Sequence, residues 1–452
     1  MSGSFVFTEL MPKNDFLTFG KIRASWARVG KDAGAYATNT YLWDAQVVNG
    51  NFVGIGNSWT GGSPYLVPEI QTSWEVGTEL KFFGGRLGID YTYYNSITRN
   101  QIAAPRLAQS TGYIFLTINS GSVQNKGMEL MITGTPVETR NFSWDVTLNL
   151  SGNRGTLGDF VDGVDLFYVT DVQIGGVKAA SIPNGGYFLG LTGNYWLRET
   201  EAVPDLDANG NPQYTDDGEL ITKQVEIEGG RYEIDPATGL YKLKGSTTNV
   251  VGNREPTLIG GLNNNIRFKN LSVSFLLDLR LGGDIYNGTQ YFLTSYGQSM
   301  RTLERDKVSF SGVVNTGTAA DPIWEEQTIT YEAGKTYNIN GRDYSGASMI
   351  QSYYSNYCNN AYNFIEKVNW MRLRALNVSY DFSSLFKKQS FIKGLVATAS
   401  ANNLWVWTNY VGGLDPEAAA AGSGTGGSGS VGIEYCGVPS QRTFSFGLNL
   451  TF

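Results

Sequence analysis

The stretch that most constrains this chain is its last, Arg442–Phe452, which reads RTFSFGLNLTF. Phe444, Phe446, Leu448, Leu450 and Phe452 share one parity; Thr443, Ser445, Gly447, Asn449 and Thr451 share the other. Successive side chains of a strand point to opposite faces, so one face is wholly apolar and the other small and polar. The run is about as long as a tilted strand needs to cross a bilayer, roughly 9–11 residues. A half-buried strand of a soluble sandwich alternates in the same way. The decision rests on whether the rest of the chain repeats the pattern.

It does. Trp74, Val76, Leu80 and Phe82 alternate with Glu75, Gly77, Glu79 and Lys81. After the tight Gly84-Gly85, Leu87, Ile89, Tyr91 and Tyr93 alternate with Gly88, Asp90, Thr92 and Tyr94. Met128, Leu130 and Ile132 oppose Glu129 and Thr133; Phe142, Trp144, Val146, Leu148 and Leu150 oppose Ser143, Asp145, Thr147, Asn149 and Ser151. Leu271, Val273, Phe275, Leu277, Leu279 and Leu281 oppose Ser272, Ser274, Asp278 and Arg280. Less regular candidates at 17–29, 257–268, 366–382 and 394–407 bring the total to about ten strands, with a further partial one at 3–9.

The connections carry more information than the strands. From 17–29 onward they alternate long and short: 30–73, 96–125, 153–256, 283–364 and 408–441 are long, while 84–86, 136–141, 269–270 and 383–393 are short. Outer-membrane barrels have this asymmetry, with short periplasmic turns and long extracellular loops, whereas a soluble sandwich has no reason to sort loop lengths onto one side. Counting from the first ascending strand, the last one descends into the periplasm. Trp74, Tyr93, Tyr94, Trp370, Trp405, Trp407 and Tyr410 lie near strand ends, as interfacial girdles do, with ordinary core or cross-strand packing the alternative for each. The 153–256 loop is too long to be structureless, and 186–199 and 221–244 are expected to form strands above the membrane. Residues 418–430 (AAAAGSGTGGSGS) read as a low-complexity tip.

Composition closes off several function classes. Charged residues make up 17%, below the roughly 25% of soluble domains. No stretch approaches about 18 uninterrupted apolar residues, so a transmembrane helix is unsupported. The chain has no histidine, which removes Ser–His–Asp and Cys–His catalysis and histidine metal sites together. A net charge of −7 offers no basic stripe for nucleic acid. Met1-Ser-Gly-Ser-Phe lacks the basic and apolar regions of a signal peptide, so the natural protein is expected to extend further at its amino end.

At this point the residues resemble a known family, the SusC/RagA-type TonB-dependent transporters of the Bacteroidetes outer membrane, and in particular the carboxy-terminal half of their barrel. The resemblance runs nearly end to end: FLTFGKIRASWARVGKDAG (16–34), PEIQTSWEVGTELKFFGGRLGIDYTYYN (68–95), INSGSVQNKGMEL (118–130), GGLNNNIRFKNLSVSF (260–275), GGDIYNGT (282–289), WMRLRALNVSYDF (370–382), ANNLWVWTNYVGGLDPE (401–417) and the terminal strand. NSGSVQNKGMEL and GLDPE are the most family-specific. The resemblance implies an all-β fold, an antiparallel transmembrane β-barrel portion contributing about 10–12 strands of a barrel of about 22. Such transporters also carry an amino-terminal plug, a carboxypeptidase-D-like domain and a TonB box, none of which is expected within these residues.

The same resemblance implies import of an oligosaccharide or peptide. A SusD-like lipoprotein lid would capture the ligand over the extracellular loops, and TonB–ExbB–ExbD would act through the plug. The aromatic carboxy terminus, with Phe444, Phe446, Leu448, Leu450 and Phe452, resembles the signal read by the barrel-assembly machinery. Glu75, Glu79, Asp90, Glu129, Asp145, Asp278 and Arg280 would face the lumen, either touching the plug or simply solvated. Trp59, Tyr195, Trp196, Tyr353, Tyr354 and Tyr357 are candidate substrate contacts that could stack on sugar faces or peptide side chains; packing within the loops is the alternative for each. No cofactor and no metal site is expected. DLDANGNPQYTD (205–216) imitates an EF-hand loop through Asp205, Asp207, Asn209, Gly210 and Asp216, but Pro212 and the absence of flanking helices favour a plain Asx/Asn-Gly turn. Cys358 and Cys436 both fall in extracellular loops, either joined or free. Glycine clusters around 54–62 lack the strand–helix context of a nucleotide site. The competing functions are a passive porin-like small barrel and an extracellular β-sandwich binding module.

Overall fold

The computed structural model describes the chain apart from residues 49–51, 161–165, 183–185, 208, 216, 246–248, 387–390, 413–414 and 418–431. Eleven strands form one sheet: β1 (Ser2–Val6), β2 (Leu17–Lys31), β3 (Glu69–Phe82), β4 (Leu87–Arg99), β5 (Ser122–Glu138), β6 (Phe142–Gly158), β7 (Leu258–Phe268), β8 (Leu271–Leu281), β9 (Trp370–Asp381), β10 (Gly394–Thr408) and β11 (Thr443–Thr451). Each pairs antiparallel with its sequence neighbours, so the sheet is an uninterrupted meander. All ten expected strands and the partial first one are present, with ends displaced by a few residues. Among the described residues β1 and β11 pair on one side each.

Register makes the sequence alternation into continuous rows. Ile22 faces Thr78, Val76 faces Tyr93, Leu130 faces Leu150, Leu262 faces Leu277, and Ala399 faces Phe446, all on one side. The opposite side carries Lys21 against Glu79, Met131 against Asp90, Glu129 against Ser151 and Gly261 against Asp278. Large side chains of the apolar row are bare: Phe446 is 84% and Leu448 74% exposed. β5 and β6 hold 17 residues each, about 56 Å at about 3.3 Å per residue, so they outreach an apolar band of about 25 Å even when tilted.

The strands that alternate poorly in sequence do so because of a bulge. On β9, Met371 and Leu373 pair with Leu279 and Leu277, but Leu376 and Val378 pair with Phe275 and Val273; the register shifts between them. The extra residue exchanges the parity that faces outward. On β10 the matching irregularity holds Asn403 at a φ of 53°.

The connections after β6 and β8, with Ile433 of the last one, fold into a cap with its own cores. One cluster gathers Ile174, Val177, Leu191, Val251, Tyr286, Phe364 and Ile433; a second gathers Trp196, Ile234, Tyr241, Val308, Phe310, Tyr331, Met349 and Ile350. Strands do form in both expected segments, at Tyr187–Thr192, Tyr195–Trp196, Thr222–Glu226, Ile234–Asp235, Leu240–Tyr241 and Leu243–Lys244. Two helices arise in the connection after β8, α1 (Gly288–Ser295) and α2 (Gly346–Asn359). The sequence offers a signal for α2: Ser345 caps it, and Met349, Ile350, Tyr353, Tyr354, Tyr357 and Cys358 form a stripe at helical spacing. None of the described helices is long and apolar enough to cross a membrane.

The aromatic girdle is smaller than its sequence positions imply. Trp74 lies against Tyr93 on the apolar side (5.5 Å between rings), and Trp405 and Trp407 are exposed there too. Tyr94 has the opposite parity and donates to Asn153 Oδ1 at 3.0 Å. Trp370 and Tyr410 are buried together with Ile285 and Val368 beneath the cap. Cys358 and Cys436 are free thiols, the first buried and the second exposed; burial raises the Cys358 thiol to about 11. Asp216 and the tip 418–430 lie outside the described residues.

Candidate functional site

The polar row of the sheet opens into a cavity of about 790 Å3 near the foot of the cap. Its wall includes Arg23, Asp90, Glu129, Asp278, Arg374 and Glu417. Of the expected lumen row, Glu79 accepts from Lys21 at 2.5 Å, Asp90 binds Arg23 through both oxygens at 2.9 and 2.5 Å, and Asp145 accepts from Thr135 at 2.7 Å. Arg280 donates to the carbonyls of Gly282 and Arg254. These pairs are part-exposed, so each contributes little stability, about 0–1 kcal/mol; they make a wetted, charge-balanced wall. Sequence reading named the carboxylates and missed Lys21, Arg23 and Arg374, because β2 and β9 are the irregular strands.

At the rim, two sequence stretches meet. Arg372 Nη2 donates to Asp415 Oδ1 at 2.6 Å, both side chains about 5% exposed or less, and Arg372 Nε lies 2.9 Å from Glu417. Arg374, at the β9 bulge, reaches Asp278 at 2.6 Å and Glu417 at 2.7 Å. The bulge thus seats Arg374 between the wall and the last connection. Backbone N–H groups of Glu417 and Ser440 also donate to Asp415. Burial pushes the Asp415 carboxyl up, but these donors and Arg372 outweigh it and hold the group below the usual carboxylate range. WMRLR and the Asp415-Pro416-Glu417 end of GLDPE are therefore joined, a strap of the last loop pinned to the wall.

Close approach explains one glycine of the NSGSVQNKGMEL stretch. A Cβ at Gly127 would lie 2.2 Å from the Gly152 carbonyl and 2.6 Å from the Tyr94 hydroxyl, so no larger residue fits between β4 and β6. Asn119, in the same stretch, ties Val67 and Asn100 together through its amide.

The six candidate contact aromatics divide. Trp196 is buried, packs against Tyr357 (5.8 Å) and donates from Nε1 to Asn356 Oδ1 at 2.6 Å. Tyr353 stacks on Phe310 at 4.9 Å and meets Tyr354 at 5.4 Å. Those four serve the cap core, the packing alternative; the reading of Trp196 as an exposed contact is corrected, because α2 covers it. Tyr195 precedes Trp196 on one short strand and so points the other way, onto Tyr362 at 5.6 Å. Trp59 is 67% exposed on the connection between β2 and β3, beside the pairing of 60–61 with 115–116.

The arrangement holds no catalytic constellation among the described residues; its paired charges are saturated by one another. In the EF-hand-like stretch, Asp207 accepts from the backbone of Asn209 and Asn211, and Asp205 pairs with Lys223 at 2.9 Å. That is the Asx-turn alternative, with Asp205 and Asp207 engaged by the protein.

Comparison with known proteins is consistent across the chain. The family model described as TonB dependent receptor-like, β-barrel, matches residues 4–287. TonB-dependent receptor P26 of Formosa agariphila is 26% identical over 445 residues, 96% of this chain and 40% of that protein. TonB-dependent receptor SusC of Bacteroides thetaiotaomicron is 23% identical over 388 residues, covering 85% of this chain and 32% of its own length. The chain thus spans less than half of either relative. Among solved structures, the RagAB peptide importer in its closed-closed state superposes with a TM-score of 0.64 at 18% identity, over 100% of this chain and 43% of that one. That likeness is one of fold.

Proposed function

This chain belongs to the TonB-dependent receptor-like β-barrel family of the outer membrane, and from that premise we propose that it forms wall and extracellular cap of an importer energised through TonB. The observation that carries the reading is the meander itself: one apolar row bare on the outside, one charged and polar row inside, and the long connections all joining strands at the same end. Hydrocarbon covers the first row and water wets the second. Family members are receptors and transporters rather than enzymes, and the saturated ion pairs of the cavity wall suit passage better than chemistry.

In this scheme a SusD-like lipoprotein closes over the cap, TonB–ExbB–ExbD acts through a plug, and the cargo is an oligosaccharide or a peptide. Phe444 to Phe452 present the aromatic terminus to the barrel-assembly machinery. A passive porin-like small barrel would need the sheet to close on itself, yet among the described residues β1 and β11 each pair on one side. A sandwich would cover the apolar row with a second sheet, and that row is bare.

The test is uptake in the source bacterium with and without the gene, using fluorescent oligosaccharides and fluorescent peptides. Uptake of one class is expected to vanish on deletion and on collapse of the proton gradient. Gene-dependent uptake that survives gradient collapse would mean a passive pore and overturn the reading.

A further inference from the structure

A second cavity, of about 750 Å3, lies in the cap above the membrane, separate in its lining from the lumen cavity. It is built from two connections: the one after β6 supplies Tyr195, Arg198, Gln224, Glu226 and Lys244, and the one after β8 supplies Tyr362. Strand alternation creates it, since burying Trp196 in the core obliges Tyr195 to face outward.

Its chemistry is specific. The Tyr195 and Tyr362 rings meet at 61°, forming a corner, and Tyr362 is half exposed. The Tyr195 hydroxyl donates to Glu226 Oε1 at 2.9 Å and accepts from Lys244 Nζ at 3.0 Å, while Lys244 and Glu226 stand 3.4 Å apart. Both contacts to Glu226 use Oε1, and the cavity is lined by this carboxylate acceptor beside the Lys244 ammonium donor. Arg198 is spent on the Gly230 carbonyl and the Tyr232 ring, and Gln224 on Thr200 and Ala320. The lining holds two cations, Arg198 and Lys244, and two carboxylates, Glu226 and Glu228.

We propose that this corner is a binding subsite for a neutral sugar ring of an oligosaccharide cargo. A hydroxyl both donates and accepts, so it satisfies an adjacent carboxylate and ammonium at once. An ionic ligand would meet its own charge in the same pair. The C–H face of a pyranose is apolar and fits against a tyrosine ring, and the Lys244–Tyr195–Glu226 chain fixes the polar groups before the ligand arrives. The proposal rests on the import reading and selects the carbohydrate over the peptide.

The test uses the full-length protein in detergent on an array of neutral oligosaccharides, with an array of oligopeptides as the second arm. At least one glycan is expected to bind, with affinity falling tenfold or more in both Tyr362→Ala and Glu226→Gln, and no peptide competing. Tyr195→Phe keeps the ring and should fall less than either. Glycan binding unchanged in both variants, no glycan bound at all, or displacement by peptides would each overturn the subsite. Uptake measured on the same variants separates the two readings: gene-dependent, gradient-driven uptake that ignores both substitutions sinks the subsite alone, whereas glycan binding without any such uptake sinks the import reading.

Discussion

The wall and the cap of this molecule use the same residues to opposite ends. In the wall, Phe444, Phe446 and Leu448 stand bare on a sheet that has almost no interior of its own. In the cap, Val177, Leu191, Ile234 and Val313 are wholly buried, and nearly every buried apolar side chain among the described residues belongs to it. The difference teaches that the two regions face different solvents. The wall finds its apolar environment in lipid and its backbone partners in neighbouring strands. The cap stands in water and must exclude it by packing, as any soluble domain does. Their stabilities should therefore respond to different changes.

The largest effect is expected in the cap. Trp196→Ala removes a buried indole and takes the donor from Asn356 Oδ1, while the Asn356 amide keeps the Tyr241 carbonyl, costing about 3–5 kcal/mol. Cap and wall should then melt apart: a calorimetric scan in detergent should show a lowered first transition while the sheet signal in circular dichroism persists to the original temperature. A single joint transition would break the comparison.

Phe446→Arg probes the wall, where a cation on the lipid face costs about 2–4 kcal/mol near the midplane. Its neighbour Ser445→Arg, on the wet face, should cost about 0.5 kcal/mol or less. Urea unfolding in lipid vesicles measures both; equal losses would show that β11 does not separate two solvents.

A smaller effect belongs to the strap that joins the two regions. Asp415→Asn leaves Arg372 with Glu417 and should cost about 1–3 kcal/mol. Because the folded Asp415 carboxyl lies below its unfolded value, its contribution is present above roughly pH 4 and is lost as pH falls through the lower folded value. Protease cleavage in the last loop should rise on such acidification in the wild type and be raised already at pH 7 in the variant. Equal cleavage at pH 7 would show the strap to be held by other contacts.

Much of the wall was legible because alternation is local. Phe444 to Phe452 declare their face within nine residues, and the sorting of loop lengths declares direction. Legibility failed at the Arg374 bulge, where one extra residue exchanged the parity of β9. In the candidate site, sequence gave the carboxylates Asp90 and Asp278 but not their partners Arg23 and Arg374, which come from other strands. Among the cap aromatics, the 3.6-residue period of Tyr353, Tyr354 and Tyr357 was present but sat inside a region read as loop.

By itself, then, the sequence determined the strands, their order, the lipid-facing row and the side on which the long connections lie. A two-residue period and a short turn need nothing beyond neighbours along the chain. Only the tertiary structure decided that Arg372 and Arg374 clasp Asp415 and Glu417, that α2 buries Trp196, and that Tyr195 is thereby left facing a cavity. Those outcomes depend on groups brought together from 43 to 167 residues apart, such as Arg372 with Asp415 and Tyr195 with Tyr362. No local pattern encodes such a meeting; the packing of the cap selects it.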